Sequence, residues 1–217
     1  MTRQNRVDPW GDLHSVSSRG LFTGNRGCLV DEAGNVVRHH RGSLWITCVT
    51  SFRGWKHPLA APGIWTPLFF LDEAVALAAG HRPCGFCRRT QHSAYAAAVA
   101  RIEGLDRPPL ASELNLRLNR ERLRPGRGLE RAGDRLTWSA DIRDLPSGAV
   151  IIFEGKATLV GREVLMTFGF DGWSDPFDRP VSGSVPVLTP PTSVAALAGG
   201  YRPVLHASAP AESRSMA

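Results

Sequence analysis

Long apolar runs are missing from this chain of 217 residues. Nothing approaches the roughly 20 consecutive apolar residues that cross a bilayer. The opening residues, MTRQNRVDPWGD, lack the apolar centre of a secretory signal. The expectation is therefore no membrane association and a cytoplasmic location. Lysine is nearly absent: only Lys56 and Lys156 occur, and arginine supplies the rest of the positive charge. No Gly-rich loop closes on Lys-Ser/Thr, which excludes a P-loop phosphate cradle. No His-Glu-x-x-His pair stands ready for a peptidase zinc, and no His-x-Glu precedes the cysteine pair as a zinc deaminase requires.

What is present is a basic chain, with formal net charge +6 and an isoelectric point near 9.8. That balance suits a polyanionic partner, although an arginine bias also follows from GC-rich coding. Four cysteines occur, Cys28, Cys48, Cys84 and Cys87. Without an export signal they read as metal ligands rather than disulfides, and four is the number a closed zinc site needs.

The stretch Phe69–Arg89 organises the chain. Asp72 is a good N-cap, Glu73 to Ala79 are strong helix formers, and Gly80 suits the left-handed stop. Pro83 fits the first position of a second helix over 83–103, which places Cys84 and Cys87 on one face of its first turn. Free amides there favour thiolate, the form that binds metal. Phe86, Tyr95, Val99 and Ile102 give that helix an apolar stripe, with Arg88, Arg89 and Arg101 pointing outward.

Upstream, the turn Gly24-Asn25-Arg26-Gly27 delivers Cys28, and Ala33-Gly34-Asn35 reads as a hairpin tip. Residues 44–59 hold the clearest strand. Trp45, Thr47 and Val49 face one way and Ile46, Cys48, Thr50 and Phe52 the other. The expected ligand set is Cys28, Cys48, Cys84 and Cys87 around one Zn2+. If Cys48 is core instead, His39, His40, His57 or His81 completes it. A short strand at Leu68–Leu71 leads into the first helix.

The run from Leu71 to Cys87, an Ala-rich helix followed by Gly80-His81-Arg82-Pro83-Cys84-Gly85-Phe86-Cys87, resembles the C-terminal part of the Ada-type metal-binding module. That module is known from bacterial DNA-repair regulators and from fusions to nucleases and glycosylases, and holds one zinc on four cysteines. The resemblance implies zinc on Cys84 and Cys87. His81 stands where the module has an aromatic residue, and the module's closely spaced first cysteine pair has no counterpart here.

Residues 105–135 are dense in arginine. A helix over 113–124, capped by Ser112, turns Leu114, Leu118 and Leu123 inward. Arg117, Arg120, Arg122, Arg124, Arg127, Arg131 and Arg135 outnumber Glu121, Glu130 and Asp134. Short strands are expected near 136–139, 149–153, 157–160, 164–167 and 185–188, enough for a small antiparallel barrel or curled sheet. Phe168, Phe170, Trp173 and Phe177 are candidates for stacking on a base. Ala196–Val204 echoes Ala76–Cys84, with Val204 in place of the cysteine.

The organisation expected is α+β: a zinc-knuckle module at 1–104, a basic helical connector at 105–135, a small β-rich domain at 136–206 and a disordered tail at 207–217. The function expected is a structural-zinc protein that binds nucleic acid, DNA more than RNA, through Arg88, Arg89, Arg117, Arg120, Arg124 and Arg127. One alternative is a DNA-repair or DNA-processing enzyme using a zinc-bound thiolate, or His206 with nearby carboxylates. The other is a zinc-stapled protein-interaction domain.

Overall fold

The computed structural model describes residues 3–54, 65–126 and 128–209. The first half runs β1 (Arg6–Val7), β2 (Leu13–His14), β3 (Phe22–Asn25), β4 (Ile46–Val49), β5 (Leu68–Phe70), α1 (Glu73–Ala78), β6 (Arg82–Pro83) and α2 (Arg89–Glu103). The second half begins with α3 (Ala111–Arg122), β7 (Trp138–Asp141), β8 (Val150–Phe153) and β9 (Lys156–Val160). It continues with β10 (Val164–Gly169), β11 (Gly172–Trp173), β12 (Phe177–Asp178), β13 (Ser184–Val187) and α4 (Pro191–Ala198).

Two sheets form, as a mixed α+β chain requires. The first has the order β2-β1-β5-β3-β4-β6. The second has the order β11-β10-β9-β8-β13-β7, with β12 also pairing β10. The second sheet is open, which corrects the barrel-like expectation. Its last strand, β13, inserts between β8 and β7 instead of joining the far edge. Buried residues of α1, α2, α3 and α4 pack with those of this sheet, so its apolar face is covered without closure.

Both hydrophobic clusters draw on residues from either side of the 105–135 segment. One joins Phe22, Phe70 and Val75 to Leu159, Met166 and Trp173. The other joins Leu77, Tyr95 and Val99 to Ile151, Leu165 and Leu197. Gly199 lies against α2 so closely that a Cβ there would fall 2.2 Å from the Ala98 carbonyl oxygen.

Asp72 caps α1 by accepting the Val75 amide at 3.1 Å. The echo between 76–84 and 196–204 is one helix-stop device used twice. In α1, the His81 amide reaches the Ala76 carbonyl and the Gly80 amide the Leu77 carbonyl, both at 2.9 Å. In α4, Tyr201 reaches Ala196 at 2.9 Å and Gly200 reaches Leu197 at 3.0 Å. Gly80 and Gly200 take φ of 84° and 95°, where a side chain would be strained. Helix α3 starts at Ala111, not after a Ser112 cap. Glu113 reaches back to the Leu110 amide at 2.6 Å, and Leu114 and Leu118 are buried as expected. Among the described residues, no helix is long and apolar enough to cross a membrane.

Candidate metal centre

Cys48, Cys84 and Cys87 come together because two strands lie side by side. β6 runs parallel to β4 with Thr47 opposite Pro83. The next residue on each strand, Cys48 and Cys84, is therefore adjacent, and the Cys84 amide donates to the Thr47 carbonyl at 2.9 Å. A turn over 85–88, closed by the Arg88 amide on the Cys84 carbonyl at 3.1 Å, folds Cys87 back beside them. The three sulfur atoms lie within 4.8 Å of one another and could hold a metal ion. Tetrahedral zinc–thiolate bonds of about 2.3 Å would set sulfurs roughly 3.8 Å apart, a small adjustment from this arrangement.

The chemical setting favours one thiolate flanked by two thiols. The Cys48 and Cys87 thiols donate to the Cys84 sulfur, and the Phe86 and Cys87 amides do the same, so Cys84 is held well below the ordinary thiol range. The Phe86 contact is 3.4 Å. Cys48, as a donor to that thiolate, is pushed up. The expected placement of the pair in a helical first turn is corrected: α2 begins only at Arg89, and Pro83 belongs to β6. Turn amides, not helix amides, face the sulfur.

Cys28 stands apart from this group. The turn before it is tight as expected, with the Gly27 amide on Asn25 Oδ1 at 2.6 Å. Thr66 then pins both sides of the cysteine: its amide donates to the Gly27 carbonyl and its hydroxyl accepts the Leu29 amide. The Cys28 thiol turns to the Val30 carbonyl, 3.5 Å away. His39, His40 and His81 do not complete the site either. They surround Trp45, with ring centroids 5.7, 5.3 and 5.1 Å from its own. His81 accepts from Arg26 Nε at 3.2 Å. His57 lies outside the described residues.

The six arginines expected to touch nucleic acid divide. Arg88 is buried and grips Glu73 through both nitrogens, at 2.7 and 2.8 Å, with Phe22 beneath its guanidinium at 4.4 Å. It is a core residue, which corrects its assignment as a phosphate contact. Arg117 is half-buried and paired with Glu103 at 2.6 Å. Arg89, Arg120 and Arg124 are exposed and have no ion-pair partner among the described residues. Arg127 lies outside them. Phe168 meets both Phe170 and Trp173 edge-on, Trp173 donates to Asp72 at 2.7 Å, and Phe177 is exposed beside Phe153. His206 is engaged with Ser208 at 2.9 Å.

A cavity of about 260 Å³ opens onto all three clustered cysteines. Ile46, Val49, Phe52, Trp65 and Phe86 give it mostly apolar walls. Phe86, between the two cysteines of the turn, is 68% exposed and meets Phe52 edge-on at 5.2 Å. It belongs to the rim, not to the apolar stripe of α2. Arg82, two residues before Cys84, is buried and held by Asn115 Oδ1 at 2.8 Å and the Pro83 carbonyl at 3.0 Å. Its guanidinium feels the Cys84 and Cys48 sulfurs electrostatically. Neither Arg82 nor the rim role of Phe86 was legible in sequence; the only available signal was their position inside the Arg82–Cys87 segment.

The chain matches no family model, no curated protein and no solved structure. The reading of the site therefore rests on its own geometry.

Proposed function

We propose that the protein is a zinc-binding protein that docks nucleic acid, DNA in the first place, and that Cys48, Cys84 and Cys87 hold the zinc. The observation that carries this reading is the convergence of three thiols from β4 and the turn after β6 within 4.8 Å. Thiolate sulfur at that spacing is a zinc donor set. The resemblance of 71–87 to the Ada-type module supports the same metal, with Cys48 as a third ligand from the preceding strand. All four cysteines are free thiols, which suits the reducing cytoplasm where we place the protein.

Nucleic acid docks, in this reading, beside the knuckle. Arg89 is exposed at the start of α2, and Arg53 lies over the Phe52 ring at 5.2 Å on the cavity rim. Arg120 and Arg124 are exposed around the end of α3. Rigid turns present such side chains to phosphates, and Phe86 offers a ring for a base to stack on. Elemental analysis of purified protein should find one zinc per chain. Four phosphate contacts predict a salt slope near −3.6, so affinity for a DNA duplex should fall about a hundredfold between 50 and 200 mM salt. Protein without zinc, or binding indifferent to salt, refutes the reading.

The access of the cavity to the sulfurs favours a second reading, in which a zinc-bound thiolate attacks a methyl carbon on DNA: the S–C bond forms as the C–O bond breaks, and the DNA oxygen leaves with the electron pair. Mass spectrometry after incubation with methylated DNA decides it: an unchanged protein mass rules the transfer out.

A further inference from the structure

The geometry points to a fourth coordination position on the metal that opens into the cavity and takes a neutral aromatic nitrogen heterocycle from outside the chain. This inference rests on the reading that Cys48, Cys84 and Cys87 hold zinc. Among the described residues the ligand group stops at three. Zinc with three protein ligands keeps its fourth position for water or an exogenous molecule. The cavity is bounded by all three cysteines, so an incoming ligand reaches the metal through it.

Charge selects the ligand. Three thiolates on Zn2+ leave one net negative charge, and buried Arg82, two residues before Cys84, supplies one positive charge nearby. Arg82 is 3% exposed and has no carboxylate partner among the described residues. A neutral fourth ligand thus leaves the buried site balanced. Hydroxide, carboxylate or a fourth thiolate would leave an uncompensated negative charge against apolar walls, which is costly. Shape selects further. Phe52, Trp65 and Phe86 line the cavity, and aromatic walls favour a flat ring. An aromatic ring nitrogen satisfies both conditions, being a neutral donor that zinc accepts as readily as imidazole. Free heterocycles and nucleobase ring nitrogens share this chemistry.

Cobalt(II) replaces zinc at such sites and reports its ligands through visible absorption. The cobalt-loaded full chain is titrated with 1-methylimidazole and, separately, with guanosine. The expected result is a saturable, one-to-one shift of the visible bands by at least one probe. Tighter response to guanosine identifies a nucleobase as the source; response to 1-methylimidazole alone identifies a free heterocycle. Phe86→Ala should weaken the response about tenfold without changing cobalt content, as loss of one stacking partner does for a base. Phe86 is exposed, so its truncation leaves the core intact; Phe52→Ala, checked by circular dichroism, provides the second variant. Bands unmoved by millimolar excess of both probes overturn the inference, as does an affinity unchanged from the parent protein in both variants. It is also overturned if His57→Ala or Cys28→Ser alters the spectrum before any probe is added, because the chain would then supply its own fourth ligand. A protein that takes up neither cobalt nor zinc fails earlier, on the metal itself, so the two failures are distinguishable.

Discussion

Replacing Glu73 with glutamine tests how the knuckle is anchored. Glu73 is the first residue of α1 and is fully buried. It accepts from Arg88 Nη2 at 2.8 Å, lies 2.7 Å from Arg88 Nη1, and accepts the Tyr201 hydroxyl and the Val204 amide, the latter at 3.0 Å. It therefore ties together α1, the turn that carries Cys84 and Cys87, and the segment after α4. Glutamine keeps the size and one acceptor oxygen but removes the charge. Arg88, 3% exposed, is then left as an unpaired buried cation. Breaking a buried pair in this way costs about 3–5 kcal/mol. At this chain length each kcal/mol moves the melting temperature by about 2–4 °C, so Glu73→Gln should melt roughly 6–20 °C lower.

The assay is calorimetric melting with zinc in excess and metal content measured on the same sample. The double variant Glu73→Gln/Arg88→Met removes the stranded charge, keeps an amide oxygen for the Val204 amide and an NH2 that can donate to the Tyr201 hydroxyl, and should regain most of the loss. Arg89→Met, one residue away and exposed, should leave melting unchanged. A shift below about 2 °C for Glu73→Gln, or a double variant no better than the single one, refutes the reasoning.

Three further outcomes are expected. Cys28→Ser should keep its zinc and its melting temperature, whereas Cys48→Ser, Cys84→Ser and Cys87→Ser should lose zinc by elemental analysis and unfold at lower temperature, because metal affinity is folding free energy. Arg89→Gln and Arg124→Gln should each reduce the salt slope of DNA binding by about 0.9 in a titration series, while Arg117→Gln changes it less because Glu103 already occupies that side chain. Acid should destabilise the fold through its buried histidines. Burial and Arg26 bring His39 down to about 2, and His81 is held well below its usual value by the same two causes. Both stay neutral in the folded protein but protonate near pH 6.5 once unfolded, so stability is present above that pH and lost as pH falls below it. At pH 5.5 the two should cost together about 3 kcal/mol, or roughly 6–12 °C relative to pH 7.5. A melting temperature that does not fall, with metal-free protein run alongside, counts against this account.

Short-range features were legible in sequence. The Asp72 cap, the helix it starts and the stop at Gly80 depend on residues within one turn of each other. The alternation expected over 44–59 was legible in part: Ile46, Cys48, Thr50 and Phe52 share the cavity wall, but Val49 joins them there and β4 ends at Val49. Pairing across distance was not. Cys48 meets Cys84 through a parallel contact between strands 36 positions apart, set by the register Thr47–Pro83. Pro83 reads locally as a helix start, yet it serves in β6, at the edge of its sheet, where its missing amide donor is tolerated. Cys28 sits after the turn it was expected to follow, but the Thr66 hydrogen bonds that turn it away come from 38 residues downstream.

The arginines carry the larger lesson. Composition alone makes residues 117–135 a basic surface, but Arg122, Arg131 and Arg135 point inward. Arg122 donates to the Gly80 carbonyl at 3.1 Å and the Ser43 carbonyl at 2.7 Å. Arg135 donates to the carbonyls of Ala78, Leu188 and Arg122. Two of these acceptors, Ala78 and Gly80, are at the C-terminal end of α1, where carbonyls lack helical partners and the dipole attracts a cation. Arg26 and Arg122 also cover the Trp45 rings at 4.3 and 4.0 Å. Burial brings Arg26 and Arg135 down to about 9 and Arg122 to about 8, which leaves all three charged at neutral pH. A planar guanidinium can serve two or three carbonyls and stack on an indole at once; an ammonium cannot. The scarcity of lysine is thus matched by internal work that only arginine performs, and the chain's net positive charge overstates what its surface offers to a polyanion. The nucleic-acid interface proposed above draws on exposed arginines, Arg89 beside the cysteine turn and Arg120 and Arg124 around the end of α3 among them, and not on these three.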